Sequence, residues 1–229
     1  MGGAIAGCCG DDKPRNQEKS KGDDDGSGLA PLAPEKKAAK EEIAEDEPAP
    51  KKRFDNHIKL VLVGDTAVGK SCLIVNYLNN TFSDDYEPTV LDVYKGTKNV
   101  NKKQMELEIH DTSGDEELYR NREITYNGAD VFLVCVASNQ RSSFEHVGKW
   151  VSEVRGTVGR NVPIWLIMTK SDLMDDDDAE AVNMKEMQEE KARLGLMGVK
   201  KTSSKEWEDF NVHKAFSFAL ESAYTAKNC

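Results

Sequence analysis

The stretch GDTAVGKS, Gly64 to Ser71, sets two glycines five positions apart and follows the second with a lysine and a hydroxyl. That order suits the capture of a polyphosphate. Gly64 and Gly69 let backbone N–H groups turn inward, with Asp65, Thr66, Ala67 and Val68 forming the loop between them. Lys70 adds a point charge, the helix expected to begin here adds a positive dipole, and the Ser71 hydroxyl is a hard oxygen ligand for Mg2+. Two later stretches carry further chemistry. HDTSGDEELYR, His110 to Arg120, closes a strand with Asp111, Gly114 and Asp115. TKSD, Thr169 to Asp172, closes another, and Asp172 can accept the two hydrogens of a guanine N1–H and 2-amino group, a pattern adenine does not offer. KTSSK, Lys201 to Lys205, follows the next apolar run.

These residues need a scaffold that brings loops to one edge of a sheet. HIKLVLV (His57 to Val63) reads as a β-branched strand running into the glycine loop, and CLIVNYL (Cys72 to Leu78) continues with helical apolar spacing. KQMELEIHD alternates as a strand does, while DVFLVCVA (Asp130 to Ala137) and VPIWLIMTK (Val162 to Lys170) suit central parallel strands. SSFEHVGKWVSEVRG reads as an amphipathic helix, GVKKTSS as a last short strand, and DFNVHKAFSFALESAY as a last helix. The polar KNVNKK predicts a hairpin joining the second and third strands. The fold expected is α/β: a phosphate-loop nucleotide-binding domain over residues 54–229, with a mostly parallel six-stranded sheet and helices on both faces.

Residues 1–53 have a different composition, with Ile5, Leu29, Leu32 and Ile43 as the bulky aliphatics and no aromatic. Such a segment buries too little apolar surface to offset ordering entropy and is expected to be disordered. The 229 residues carry a net charge of −10, which disfavours broad nucleic-acid binding and leaves an anionic ligand to local donors. The five cysteines show no metal-ligand spacing and point to a reducing, cytoplasmic setting.

Five motifs in order, over about residues 56–225, resemble those of the Ras superfamily. The Rho/Rac branch is suggested by GDTAVGKS, by YEPTVLDVY (Tyr86 to Tyr94), by TKSD and by SFEHVGKWVSEVR. The resemblance implies a GTP/GDP switch, monomeric and Mg2+-dependent. In it Phe82 packs against guanine, Ser71 and Thr89 bind Mg2+, Asp111 holds a Mg2+-bound water, and Gly114 senses the γ-phosphate through its N–H. Lys170 stacks on the base beside Thr169; Ser203 and the Ser204 N–H support Asp172 and the guanine oxygen, next to Lys205. Cys72 adjoins the phosphates. Lys70, Thr89, Gly114 and Asp115 would form the hydrolytic set. Effectors would bind through segments near 82–94 and 111–126, with exchange factors and activators as further partners.

Several residues depart from the pattern. Asp115 stands where the family has the glutamine that orients the attacking water. An ionised aspartate only accepts hydrogen bonds, is one methylene shorter, and brings negative charge toward a polyanion. The expected loss is on the order of 10–100-fold in rate. An activator's arginine, worth on the order of 10³–10⁵, would lose much of its effect too. Ser113 resembles the Rnd proteins, which stay GTP-loaded, whereas Thr66 has counterparts in Rab-like proteins. Conventional cycling remains an alternative, with Glu116 as a substitute for the water-orienting group; a GTP-bound scaffold without turnover is another. The segment from Asp172 to Ser203 is short for a Rho protein, so its helical insert is expected to be reduced to something around residues 175–190. The acidic run Asp175 to Asp178 reads as a solvated face.

At the N-terminus, MGGAIAGCC presents Gly2 for myristoylation and Cys8 and Cys9 for palmitoylation, though Ala6 stands at the usual Ser/Thr position. Two lipid signals would hold the chain to the cytoplasmic face of a membrane, with the tail as tether. Cys229 ends the chain without a prenylation box.

Overall fold

A computed structural model describes residues 56–82, 89–174, 180–205 and 211–228. The tail, the acylation residues Gly2, Cys8 and Cys9, most of YEPTV, the acidic run 175–178 and Cys229 lie outside the described residues.

Strand β1 (His57–Val63) leads through the glycine loop into α1 (Lys70–Asn79). Strands β2 (Leu91–Val100) and β3 (Lys103–Thr112) form the expected hairpin, closed by Asn101 and Lys102 at φ 49° and 63°. Positive φ at both loop residues gives a primed turn, whose twist matches that of the strands. After β3 come a 3-10 turn (Glu116–Leu118) and α2 (Tyr119–Tyr126), then β4 (Val131–Ala137), α3 (Arg141–Glu145) and α4 (Val147–Val158). Strand β5 (Ile164–Thr169), a second 3-10 turn, α5 (Met184–Leu194), β6 (Gly198–Lys201) and α6 (Asn211–Lys227) complete the chain.

The strands form one sheet in the order β2-β3-β1-β4-β5-β6, parallel except for the antiparallel β2–β3 pair. Strands β4 and β5 are buried along their whole length because helices cover both faces, which is why they read as unbroken apolar runs. On one face α6 buries Val212, Ala215, Phe216, Ala219, Leu220 and Ala223, one helical stripe, against the sheet. Phe216 stacks on Tyr77 of α1 with ring centroids 4.0 Å apart, so Phe216→Ala would cost about 3–5 kcal/mol. On the other face α4 buries Val147, Trp150, Val151 and Val154 with the same spacing. The single helix expected over Ser142 to Gly156 has an irregular turn at His146, between α3 and α4.

The connection from β5 to β6 differs from the reduced insert expected around residues 175–190. The stretch expected to hold a reduced insert contains the start of α5, the crossover helix returning the chain from β5 to its parallel neighbour β6. Parallel strands require such a crossover. Asn183 begins it, accepting the Lys185 and Glu186 N–H groups while the Glu186 carboxylate accepts the Asn183 N–H. Among the described residues between β5 and β6, no second α-helix remains to serve as an insert.

Candidate functional site

The loops at the C-terminal ends of the parallel strands surround a cleft of about 550 Å3, where open α/β sheets bind their ligands. Its floor is the glycine loop. Gly64 has φ 142°, and a Cβ there would lie 2.5 Å from the Cys135 carbonyl of β4, so this position requires glycine. Ala67 and Gly69 also have positive φ, at 61° and 95°, giving the concave run of backbone that suits an anion. The buried Lys70 ammonium donates to the Gly64 carbonyl at 2.9 Å and the Asp65 carbonyl at 2.8 Å. Burial lowers its pKa, while Asp111 pulls the other way.

At the mouth of α1, the Ser71 and Thr89 hydroxyls are 3.0 Å apart. Behind them Asp111 is fully buried, and among the described residues neither carboxyl oxygen has a hydrogen-bond partner within 3.5 Å. Burial pushes its pKa up to about 6, against the pull of the Ser71 hydroxyl and Lys70. A buried carboxylate beside two hydroxyls is an all-oxygen set that fits Mg2+, which keeps several waters and takes few protein ligands. The ion would supply charge neutralisation for the phosphates held on the glycine loop.

The segment near 111–126, the second of the two expected to bind effectors and hereafter the second switch, closes one side. Gly114 is packed so tightly that a Cβ would lie 2.2 Å from the Thr66 nitrogen and 2.3 Å from the Asp65 carbonyl carbon. The next residue, Asp115, lines the cleft, yet its carboxylate is turned onto its own backbone and accepts the Glu117 N–H at 2.9 Å. Its own N–H donates to the Ser113 hydroxyl at 3.1 Å. Arg122, buried on α2, donates to the Ser113 carbonyl at 3.2 Å, to the Asp115 carbonyl, and to Glu153 of α4 at 2.8 Å. Burial alone would lower the Arg122 pKa, and the Glu153 carboxylate more than reverses that.

The opposite end is the base loop. Ser203 donates to Asp172 at 2.6 Å, fixing the carboxylate that would read guanine. The Lys205 N–H donates back to the Ser203 hydroxyl at 3.1 Å. Lys170 takes a left-handed backbone at φ 54°, and its carbonyl accepts the Ser138 hydroxyl at 2.6 Å. Thr169 donates to the Val68 carbonyl, and Asn76 of α1 donates to the Ser204 carbonyl at 2.9 Å, tying the base loop to the phosphate loop. The Lys205 ammonium stands 5.7 Å from the Phe82 ring centroid.

Most of the residues expected from the sequence meet here: Thr66, Ala67, Gly69, Lys70, Ser71, Cys72, Phe82, Thr89, Gly114, Asp115, Thr169, Lys170, Asp172, Ser204 and Lys205 line the cleft. Others do not present side chains to it. Val68 is buried beneath the loop, Asp111 and Ser203 act from behind the lining, and the Asp65 carboxylate faces α4. The lining also includes Ser113, noted above as a departure from the family pattern, and Val90, Thr112, Leu118 and Leu173, which residue chemistry did not single out. Their only signal was adjacency to a motif.

The model of the Ras family matches residues 59–225, from β1 into the last turns of α6. Proteins of that family bind GTP and GDP, typically with Mg2+, hydrolyse GTP, and bind effectors and regulators. The chain belongs to the Ras family of small GTPases and is a GTP-binding switch.

Proposed function

We propose that this is a Rho-type switch whose GTP hydrolysis is slow, so that it acts mainly as a monomeric, GTP-loaded binding platform. One observation carries the hydrolysis reading: the Asp115 carboxylate is engaged by the Glu117 N–H, at the position from which the family's glutamine orients water. The substitute considered from the sequence, Glu116, is exposed and paired with Lys149 of α4. That supports slow turnover over conventional cycling. The Rho-type reading rests on YEPTVLDVY and TKSD, while the shortness of the β5–β6 connection weighs against it.

On this reading Lys70, Thr89, Gly114 and Asp115 surround the terminal phosphate, Ser71 and Thr89 hold Mg2+, and Asp111 orders a water on the ion. Guanine lies between Phe82 and Lys170, read by Asp172 with Ser203 and Ser204. Effectors bind through the segments near 82–94 and 111–126; exposed apolar groups there, Val90, Leu91, Tyr119 and Ile124, support that surface. Residues 1–53, acylated at Gly2 and at Cys8 or Cys9, tether the 54–229 domain to the cytoplasmic face of a membrane.

Nucleotide extracted from freshly purified protein tests the central part. GTP as the major species is expected; GDP alone would overturn it. For the anchor, Gly2→Ala should move the protein from membranes to cytosol, and unchanged membrane association would count against acylation.

A further inference from the structure

The phosphate loop and the second switch meet not only across the cleft but also through helix α4. The Asp65 carboxylate accepts the Trp150 indole N–H at 2.7 Å through one oxygen, and the other lies 2.7 Å from the His146 ring nitrogen Nδ1. Trp150 is 2% exposed. Over its ring, 4.8 Å from the centroid, lies the Arg122 guanidinium, the group that holds the Ser113 and Asp115 carbonyls and is itself fixed by Glu153. One side chain thus touches both halves of the phosphate site: its N–H holds one loop and its face carries the cation that holds the other.

We propose that Trp150 is a positioning residue for nucleotide retention, setting the phosphate loop against the second switch. The reason is mechanical. Asp65 is bonded twice over, its carboxylate to α4 and its carbonyl to Lys70 at 2.8 Å, so a displacement of Asp65 displaces the lysine that faces the phosphates. Its neighbouring backbone also abuts Gly114, which leaves the two loops no slack to shift independently. Removing the indole N–H leaves the Asp65 carboxylate with one of its two partners and frees the loop on that side. The inference rests on the nucleotide site described above and is independent of whether hydrolysis is slow.

The test is release of a fluorescent GDP analogue from the full-length protein with Mg2+ present. Trp150→Phe keeps an aromatic face beneath Arg122 and removes the N–H; it should release GDP about tenfold faster, as expected for loss of a hydrogen bond to a charged group. Trp165→Phe removes an equivalent indole hydrogen bond, to Ser222 at 3.0 Å, away from the phosphate loop, and should leave release unchanged. Asp65→Asn, which keeps an acceptor for Trp150, should release GDP more slowly than Asp65→Ala, which should match Trp150→Phe. Wild-type release from Trp150→Phe, equal acceleration by Trp165→Phe, or equal release from Asp65→Asn and Asp65→Ala would each overturn the proposal. The two Asp65 variants leave the tryptophan in place and remain informative if Trp150→Phe does not fold.

Discussion

The Asp115 carboxylate accepts the Glu117 N–H at 2.9 Å and caps the 3-10 turn that opens the second switch. A cap of this kind contributes about 1 kcal/mol, so turning the carboxylate toward a water would forfeit that contact. An acceptor already engaged is a poor substitute for a group that must accept from water and donate to a phosphate oxygen together. The same residue that departs from the family in type is therefore also held away from that task by its neighbour.

Removing Mg2+ should loosen the nucleotide, and Asp111 sets how that depends on pH. Burial raises the Asp111 pKa to about 6 without the ion, so below that value Mg2+ must displace a proton. Apparent Mg2+ affinity should be nearly flat above pH 7 and fall by about tenfold per unit below pH 6. Titration of Mg2+ against nucleotide release at pH 5.5 and 7.5 checks this, with Asp111→Asn expected to abolish the dependence.

Ser203→Ala should weaken guanine nucleotide without touching the phosphate loop. It removes the 2.6 Å donor that orients Asp172, a charge-assisted bond worth about 1.5–3 kcal/mol. Calorimetric affinity for GDP should fall by at least about tenfold, and discrimination against ADP should narrow with it.

His110 should make the fold sensitive to mild acid. Burial, with Lys59 nearby, lowers its pKa to about 4, outweighing the opposite pull of the Glu108 carboxylate 3.3 Å away. Between about pH 6.5 and 4 the unfolded chain binds a proton that the folded chain refuses, so stability from this residue is full above that window and lost as pH falls through it. Burial would raise the Glu108 pKa, but His110, Lys95 and His57 outweigh it, and its contribution is lost in the same direction, below its ordinary 4.5. Unfolding free energies from urea titrations at pH 7 and pH 5 should differ by on the order of 1–2 kcal/mol in the wild type, and His110→Leu should narrow the gap.

Much of this architecture was legible because its signals are local. The unbroken apolar runs of β4 and β5 announce strands covered on both faces, and KNVNKK announces the turn at Asn101 and Lys102. The phosphate loop and Asp172 were likewise readable from spacing and order, while the family resemblance supplied its partner Ser203. What escaped depends on contacts between distant segments. The Asp65 carboxylate turns to Trp150, 85 positions away, because α4 packs beside the loop, and nothing in GDTAVGKS records that neighbour. The supposed insert was misread because acidic residues near a family landmark look the same whether they are an addition or the crossover itself; only the β5–β6 pairing decides. The Asp115 cap has a local signal, since Asp is a preferred cap two residues before a free N–H, but the same position is also the one where the family carries its water-orienting glutamine, and residue type alone does not separate the two roles.

Single-turnover hydrolysis of preloaded GTP, comparing the wild type with Asp115→Gln, tests the central claim most directly. The wild type should be slower by about 10–100-fold, the barrier difference set by lost water positioning. Equal rates in the two proteins would contradict it.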